Sequence, residues 1–461
     1  MSMAALDAVL ESAASAEVFQ RDGTVMRVTG EVLDVAGVNL RPHELAFVAE
    51  AGGRQMAAIC TRASGGSAQL SLLDRGAVAI GGRVLAAGML TSAPTGIGLV
   101  GRVLDGLGRP LDGGGPLHGA RRVPTHAEPP HPLDRAPIMT ALPCGVRAID
   151  GFLTLGRGQR VGIFAGSGVG KSTLLGMLAR GTAADITVIA LIGERGREVR
   201  DFIEHDLGVD ALQRCVIVAS TGDNPAAMRL NAAYTATAIA EGFRDEGRDV
   251  LLLFDSLTRV AMAQRELGLA AGEPPTTKGY PPSVFSLLPH LMERAGPSAK
   301  GSITAIYTVL VDGEDMDEPI ADLARATLDG HIVLKRSLAN GGHYPPIDVL
   351  ASVSRLMERV VSSDHRDAAR ALREVMAAHA EARDLISIGA YVTGTDATVD
   401  AAIRLLPVLN AFLRQRSQEV TGLADAGAQL VAMCGGSRTD VIVGGADESY
   451  AGTAETTGGL S

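Results

Sequence analysis

From Gly23 to about Gly88 the chain alternates short apolar runs with Gly, Asp and Asn. The runs Thr24–Val28, Gly30–Val35, Leu45–Val48, Met56–Cys60 and Ala77–Ile80 have the length and spacing of strands in a small all-β barrel. Before them, Met1 to Phe19 places Met3, Leu6, Val9, Leu10 and Ala13 on one helical face, so a short amphipathic helix competes with a frayed terminus. Residues 91–160 are crowded with proline, including Pro110, Pro116, Pro124, Pro129, Pro130, Pro132, Pro137 and Pro143. The proline segment after Val100–Gly108 is too irregular for helix or central strand. The stretch reads as an ordered connector along the edge of the next domain, opened by a strand and tight turn over Val100–Gly108.

Beyond it the pattern changes. Val161–Phe164, Ile186–Ile192, Cys215–Ser220, Val250–Asp255 and Ile303–Val311 are nearly continuous apolar runs, as expected of strands buried on both faces. Helical periodicity separates them, over Asn224–Phe243 and Val284–Ala295 among others. The alternation predicts an α/β domain with a mostly parallel sheet. From about Ser362 to Val431 the pattern is helical, with Ala369–Ala380 and Val399–Leu413 clearest. The rest is rich in Gly, Ala, Ser and Thr and is expected to be disordered. The division is therefore 1–22, an assembly segment; 23–90, a β-barrel; 91–361, the α/β domain with its connector; 362–434, a helical domain; and 435–461, a tail.

The chemistry starts where Val161–Phe164 ends. Ala165-Gly166-Ser167-Gly168-Val169-Gly170-Lys171-Ser172-Thr173 joins that strand to a helical pattern, the context a P-loop demands. The glycines let successive backbone N–H groups curl around phosphate oxygens, and the helix N-terminus adds partial positive charge. Gly166, Ser167, Gly168, Val169, Gly170, Lys171, Ser172 and Thr173 are thus the candidate phosphate cradle. Lys171 reaches the β- and γ-phosphates and Ser172 ligates Mg²⁺. Ala165 replaces the usual first glycine, a small residue that still allows the turn. Only four lysines occur (Lys171, Lys278, Lys300, Lys335), and one stands where a compact ammonium is needed.

Leu251–Phe254 ends in Asp255, a carboxylate at a strand terminus that sits beside the same Mg²⁺ in Walker B fashion. Ile192-Gly193-Glu194-Arg195-Gly196-Arg197-Glu198 closes another strand at the sheet edge where α/β proteins bind ligands. Glu194 is the candidate to orient the attacking water, against a solvated Glu/Arg run at a helix start. Arg195 pairs with a carboxylate or shapes the site. Tyr344, in His343-Tyr344-Pro345-Pro346, is either an adenine-stacking ring or a turn tyrosine. Arg355 alone reads as a surface arginine, and Thr277–Phe285 as loop punctuation.

Composition narrows the function. Net charge is −10 and aromatics are 3% with no Trp, which argues against nucleic-acid partners. No uninterrupted apolar run is long enough for a membrane span, and residues 1–20 lack the basic start of a secretory signal. Cys60, Cys144, Cys215 and Cys434 have neither metal nor disulfide spacing, which fits a reducing cytoplasm.

Ala165–Thr173, Leu191–Arg200, Gly272-Glu273-Pro274-Pro275, Gly279–Phe285 and Leu328-Asp329-Gly330-His331-Ile332 together resemble the ATPases of type III protein export, flagellar and injectisome, and so the catalytic β subunit of rotary ATP synthases. The likeness covers roughly residues 23–412. It implies a multidomain fold: a small N-terminal β-barrel, a central RecA-like α/β P-loop domain with a mostly parallel sheet, and a helical C-terminal domain. It implies a homo-hexamer that hydrolyses Mg-ATP between subunits to release chaperones and feed unfolded substrates into a secretion channel. ATP and Mg²⁺ are the implied cofactors. Glu194 is then the catalytic carboxylate, Asp255 the Walker B acid, Arg355 an arginine finger for the neighbouring subunit and Tyr344 the adenine platform. The implied partners are a stator at the N-terminal region, a coiled-coil stalk in the pore facing Gly279–Phe285, and chaperone–substrate complexes at the helical domain. The implied location is cytoplasmic, peripheral to the inner membrane at the secretion apparatus. The Asp-Glu-Leu-Ser-Glu-Glu-Asp stretch of ATP synthase β is absent, which favours export. A hexameric RNA translocase and a non-catalytic rotary ATPase subunit are the competing readings. The acidic charge opposes the first, and Glu194 the second.

Overall fold

The structure, a computed structural model, describes residues 22–435 except 51, 312 and 314. The expected N-terminal helix and the Gly-rich tail lie outside the described residues.

Six strands close the first barrel: β1 (Asp22–Thr29), β2 (Val32–Ala36), β3 (Glu44–Ala49), β4 (Gln55–Ser64), β5 (Ser67–Leu72) and β6 (Arg83–Leu90). Their order is β1-β2-β5-β4-β3-β6, and β6 returns to β1 with Asp22 opposite Leu85. Alternation sends Val25, Leu33, Val35, Val48, Met56, Leu70 and Val84 inward. Ala77–Ile80, expected as a strand, is a loop, and Ile80 is 72% exposed. The wall strand there is β6, whose middle, Ala86-Ala87-Gly88, is too small to give an apolar signal. Serine and glutamine interrupt the apolar positions of β5, so it shows no continuous apolar run.

The connector contributes β7 (Ser92–Thr95), β8 (Val103–Leu104) and β9 (Arg121–Pro124). β7 pairs with β9, and β8 joins the edge of the large sheet beside Cys215–Ser220. The tight turn after β8 is closed by the Asp105 carboxylate, which accepts from the N–H groups of Leu107 and Arg109 at 2.9 and 2.8 Å. Further along, Arg135 donates to the Ala295 carbonyl at 2.9 Å, which ties this stretch to the α/β domain.

The large sheet contains β10 (Arg160–Ala165), β11 (Ile186–Ile192), β12 (Cys215–Ser220), β13 (Asp249–Asp255), β14 (Gly296–Pro297), β15 (Ser302–Leu310), β16 (Gly330–Leu334) and β17 (Ile347–Ser354), with β8 at its edge. The order is β17-β16-β10-β15-β13-β11-β12-β8, with β14 pairing to β15. Pairs along the middle are parallel, while β17 runs antiparallel to β16. The fully buried strands β11 and β12 explain their unbroken apolar runs. Helices Ala226–Asp245, Leu257–Ala270 and Pro282–Glu293 cover one face. The P-loop helix Lys171–Gly181 covers the other and packs in one core with the C-terminal helices Ser363–Ser387, Ala397–Leu413 and Leu423–Gly435. The barrel docks on the α/β domain through Ala57, Ile59 and Leu73 against Ala226, Met228, Ala263 and Leu267.

Arg294 is wholly inside: at 0% exposure, it gives Nε to Glu241 Oε1 at 2.9 Å, Nη2 to Glu241 Oε2 at 2.5 Å and Nη1 to the Thr125 carbonyl at 2.7 Å. It locks the connector to two helices. Removing one partner strands a buried charge. We expect Arg294→Ala to lower unfolding free energy by roughly 3–5 kcal/mol in chemical denaturation, whereas exposed Arg27→Ala, across from Asp34 on the barrel, changes it by less than about 1 kcal/mol.

Next to it, His126 stacks on His43 with centroids 3.8 Å apart and lies 4.1 Å from the Tyr234 ring. Burial, then the nearby His43, Arg294 and His290 charges, pushes the His126 pKa down to about 3. The folded protein therefore keeps His126 neutral where the unfolded chain protonates it near its ordinary 6.5. Its contribution is intact above pH 6.5 and is lost as pH falls towards 3. Melting temperature measured against pH should fall on that acid limb, and His126→Phe should flatten it. An unchanged limb in the variant contradicts this assignment.

Candidate active site at the P-loop

β10 is buried and ends at Ala165, so the chain leaves the sheet directly into the P-loop. Gly168 (φ 71°) and Gly170 (φ 107°) take left-handed backbone angles, and Gly170 caps the helix that starts at Lys171. Gly166 and Val169 are buried, whereas Ser167, Gly168, Ser172 and Thr173 face solvent. Arg336, just past β16, donates from Nη2 to the Ser167 carbonyl at 2.8 Å. Sequence reading missed this brace, since an isolated Lys-Arg pair carries no signal.

Parallel strands β10, β13 and β11, with β15 between the first two, bring the charged groups together. The Lys171 ammonium lies 3.2 Å from Glu194 Oε1, beyond β11, and hydrogen-bonds Asp255 Oδ1 at the end of β13. All three side chains are at most 15% exposed. Burial alone lowers the Lys171 pKa, but the Asp255 and Glu194 charges outweigh it and hold the ammonium above its ordinary value. The Thr308 hydroxyl on β15 donates to Asp255 Oδ1 at 2.6 Å. No motif pointed to Thr308, because it sits inside an apolar strand.

Asp255, Ser172 and Glu194 offer hard oxygen donors, the chemistry Mg²⁺ prefers, and the ion ordinarily completes its shell with phosphate and water oxygens. Ser172 follows Lys171 in the first turn of the helix, so carboxylate, hydroxyl and phosphate cradle converge on one edge of the sheet.

Behind the P-loop is a cavity of about 550 Å³. Gly170, Met177, Tyr344 and Pro346 line one side, and residues from Arg414 to Glu419, after the helix Ala397–Leu413, line the other. Tyr344 is 51% exposed, and a Cβ built on Gly170 stands 3.8 Å from its ring. The second wall was invisible in sequence, because it is assembled by buried Gln415. That amide donates to the Gly145 and Glu419 carbonyls at 2.7 Å each, its oxygen accepts from Arg147 N at 2.8 Å, and its own N–H reaches the Tyr344 carbonyl at 2.8 Å.

Two arginines stand outside the cluster. The Arg195 side chain is 80% exposed and pairs with the Glu198 carboxylate at 3.1 Å, the first of the two roles expected of it. Arg355 follows β17, and Ser354 pairs with Gly330 at the start of β16, whereas Ala165 is level with Leu334 at its end. Four rungs at about 3.3 Å each put Arg355 roughly 13 Å or more down the sheet from its own P-loop. It is exposed, and Nη2 donates to the Arg325 carbonyl at 3.4 Å.

Comparison with known proteins agrees with this geometry. Residues 145–354 match the nucleotide-binding domain of the ATP synthase alpha/beta family, and residues 361–432 match the T3SS EscN ATPase C-terminal domain. The chain is 50% identical over 421 residues to the flagellum-specific ATP synthase of Bacillus subtilis (strain 168), covering 90% of this chain and 96% of that protein. It is 49% identical to the type 3 secretion system ATPase of Xanthomonas euvesicatoria, covering 88% and 93%. The assembled ATPase EscN of the enteropathogenic E. coli type III secretion system superposes with a TM-score of 0.84 at 43% identity, covering 89% of this chain and 99% of EscN. EscN in complex with its central stalk EscO gives 0.82, at 42% identity. The chain belongs to the type III export ATPases of the ATP synthase alpha/beta family, enzymes whose ATP hydrolysis energises type III protein export.

Proposed function

We propose that the chain hydrolyses Mg-ATP at sites shared between neighbouring subunits of a homo-hexameric ring, releasing chaperones and feeding unfolded substrates into the export channel. The observation that carries this reading is the separation of Arg355 from its own P-loop. An arginine at the far end of the sheet cannot serve phosphates held at Lys171, but it is exposed and free to approach a neighbour's.

Within one site, Gly166 to Thr173 cradle the phosphates, and Lys171 leaves Asp255 to meet the β- and γ-oxygens. Asp255 and Ser172 hold Mg²⁺, which supplies charge neutralisation across the phosphates. Glu194 orients the attacking water, and its distance from Lys171 keeps it within reach of the γ-phosphate. Tyr344 stacks on adenine in the cavity behind the P-loop. Arg355 from the adjoining subunit stabilises charge in the transition state, and Arg195 helps shape the approach from that side.

The described residues contain no helix long and apolar enough to cross a membrane. The ring works in the cytoplasm, peripheral to the inner membrane at the base of the secretion apparatus. A stator binds the N-terminal region. A coiled-coil stalk enters the pore beside Gly279–Phe285, as EscO accompanies EscN. Chaperone–substrate complexes meet the helices from Ser363 onward.

Specific ATPase activity measured against protein concentration tests the shared site. It should climb as subunits associate, in step with ring formation followed by light scattering. Arg355→Ala should lower kcat by roughly 10³–10⁵ while leaving nucleotide affinity close to the parent. Activity flat with concentration and indifferent to Arg355→Ala overturns the reading.

A further inference from the structure

Thr308 sits on β15, the strand between P-loop strand β10 and Walker B strand β13. Ile163 of β10 pairs with Thr308, and Tyr307 pairs with Phe254, so Thr308 is level with Asp255. It has 0% exposure. Of the other positions from Ile303 to Val309, Ile303, Ala305, Ile306 and Val309 are apolar, Tyr307 buries its ring, and the Thr304 hydroxyl accepts from Gly158 N at 2.7 Å near the opposite end of the strand.

A hydroxyl at such a place is not free. Valine has the same shape and the same strand preference, without a polar group to desolvate. A buried hydroxyl is costly unless it is bonded, and this one bonds to the Asp255 carboxylate. Its 2.6 Å contact falls on Asp255 Oδ1, the oxygen that also receives the Lys171 ammonium. Two donors on one oxygen fix the rotation of the carboxylate. When Lys171 turns to phosphate, Thr308 is the donor that stays, because its backbone is locked into the sheet on both sides.

We propose that Thr308 is a positioning residue for ATP hydrolysis: its hydroxyl holds Asp255 aimed at the divalent cation while Lys171 is engaged with phosphate. The inference rests on Asp255 being the carboxylate that holds that cation. Carboxylates on metal ions are themselves oriented by hydrogen bonds, and removing such a bond typically costs 10–100-fold in metal affinity or activity. A core role for Thr308 alone predicts no such loss.

The test uses the full chain with Thr308→Val, Thr308→Ser, Thr308→Ala and Asp255→Asn. Mn²⁺ affinity of the protein–ADP complex is measured by electron paramagnetic resonance, alongside kcat, KM for ATP and melting temperature. Thr308→Val should weaken Mn²⁺ binding and lower kcat by roughly 10–100-fold with KM nearly unchanged. Thr308→Ser, which keeps the hydroxyl, should stay within about threefold of the parent. Thr308→Ala leaves space rather than filling it, and should reproduce the Mn²⁺ loss even if the Val variant packs badly. If Asp255→Asn weakens Mn²⁺ while Val and Ala leave its affinity unchanged, Thr308 is only a core residue and the proposal fails. If Asp255→Asn itself leaves Mn²⁺ affinity unchanged, the reading of Asp255 as the cation's carboxylate fails, and this inference with it.

Discussion

A lysine buried between two carboxylates sets the terms for the whole molecule. Lys171, Glu194 and Asp255 leave three different segments of chain, and each is nearly withdrawn from water. Such a cluster survives only if its charges compensate and its geometry is held from behind. Strands β10, β15, β13 and β11 supply that support, aligned so that their C-terminal ends fall on one edge. Glycines at Gly168 and Gly170 turn the chain so that the ammonium enters from above. The same lysine has the two carboxylates as its partners in the structure, and phosphates as its partners in the proposed reaction.

Around this cluster the fold divides its labour. The P-loop helix begins at Lys171 and carries in its last turn Arg180, whose guanidinium donates to the Ser417 carbonyl in the strap beyond helix Ala397–Leu413. Gln415 fastens that strap to the Tyr344 backbone. The cavity behind the P-loop is thereby walled partly by the segment that follows helix Ala397–Leu413. At the other end, the Arg294–Glu241 pair and the His43–His126 stack fix the connector and barrel on the α/β domain.

What was legible in sequence followed the strength of each local signal. Fully buried strands such as β11 and β12 announce themselves as unbroken apolar runs. The P-loop is a contiguous motif whose glycines have a backbone reason to be where they are. Barrel strands with alanine, glycine or serine in the middle, β5 and β6, were lost, since small residues fill a tight barrel without marking it as apolar. Thr308, Arg336 and Gln415 were out of reach for a different reason. Each acts through a partner distant in sequence, and no spacing rule links Thr308 to Asp255 or Gln415 to Gly145. Arg195 illustrates the converse: a charged residue inside a distinctive motif that, in a single subunit, points to solvent.

In the proposed ring, Glu194 and Arg355 act in the same site from different subunits. The direct measurement is the steady-state ATPase rate of a mixture of Glu194→Gln and Arg355→Ala proteins, each inactive alone. A shared site predicts that mixing restores part of the parent rate, because some interfaces then pair an intact Glu194 with an intact Arg355. A mixture as inactive as its components, under conditions where light scattering shows mixed assemblies, contradicts it.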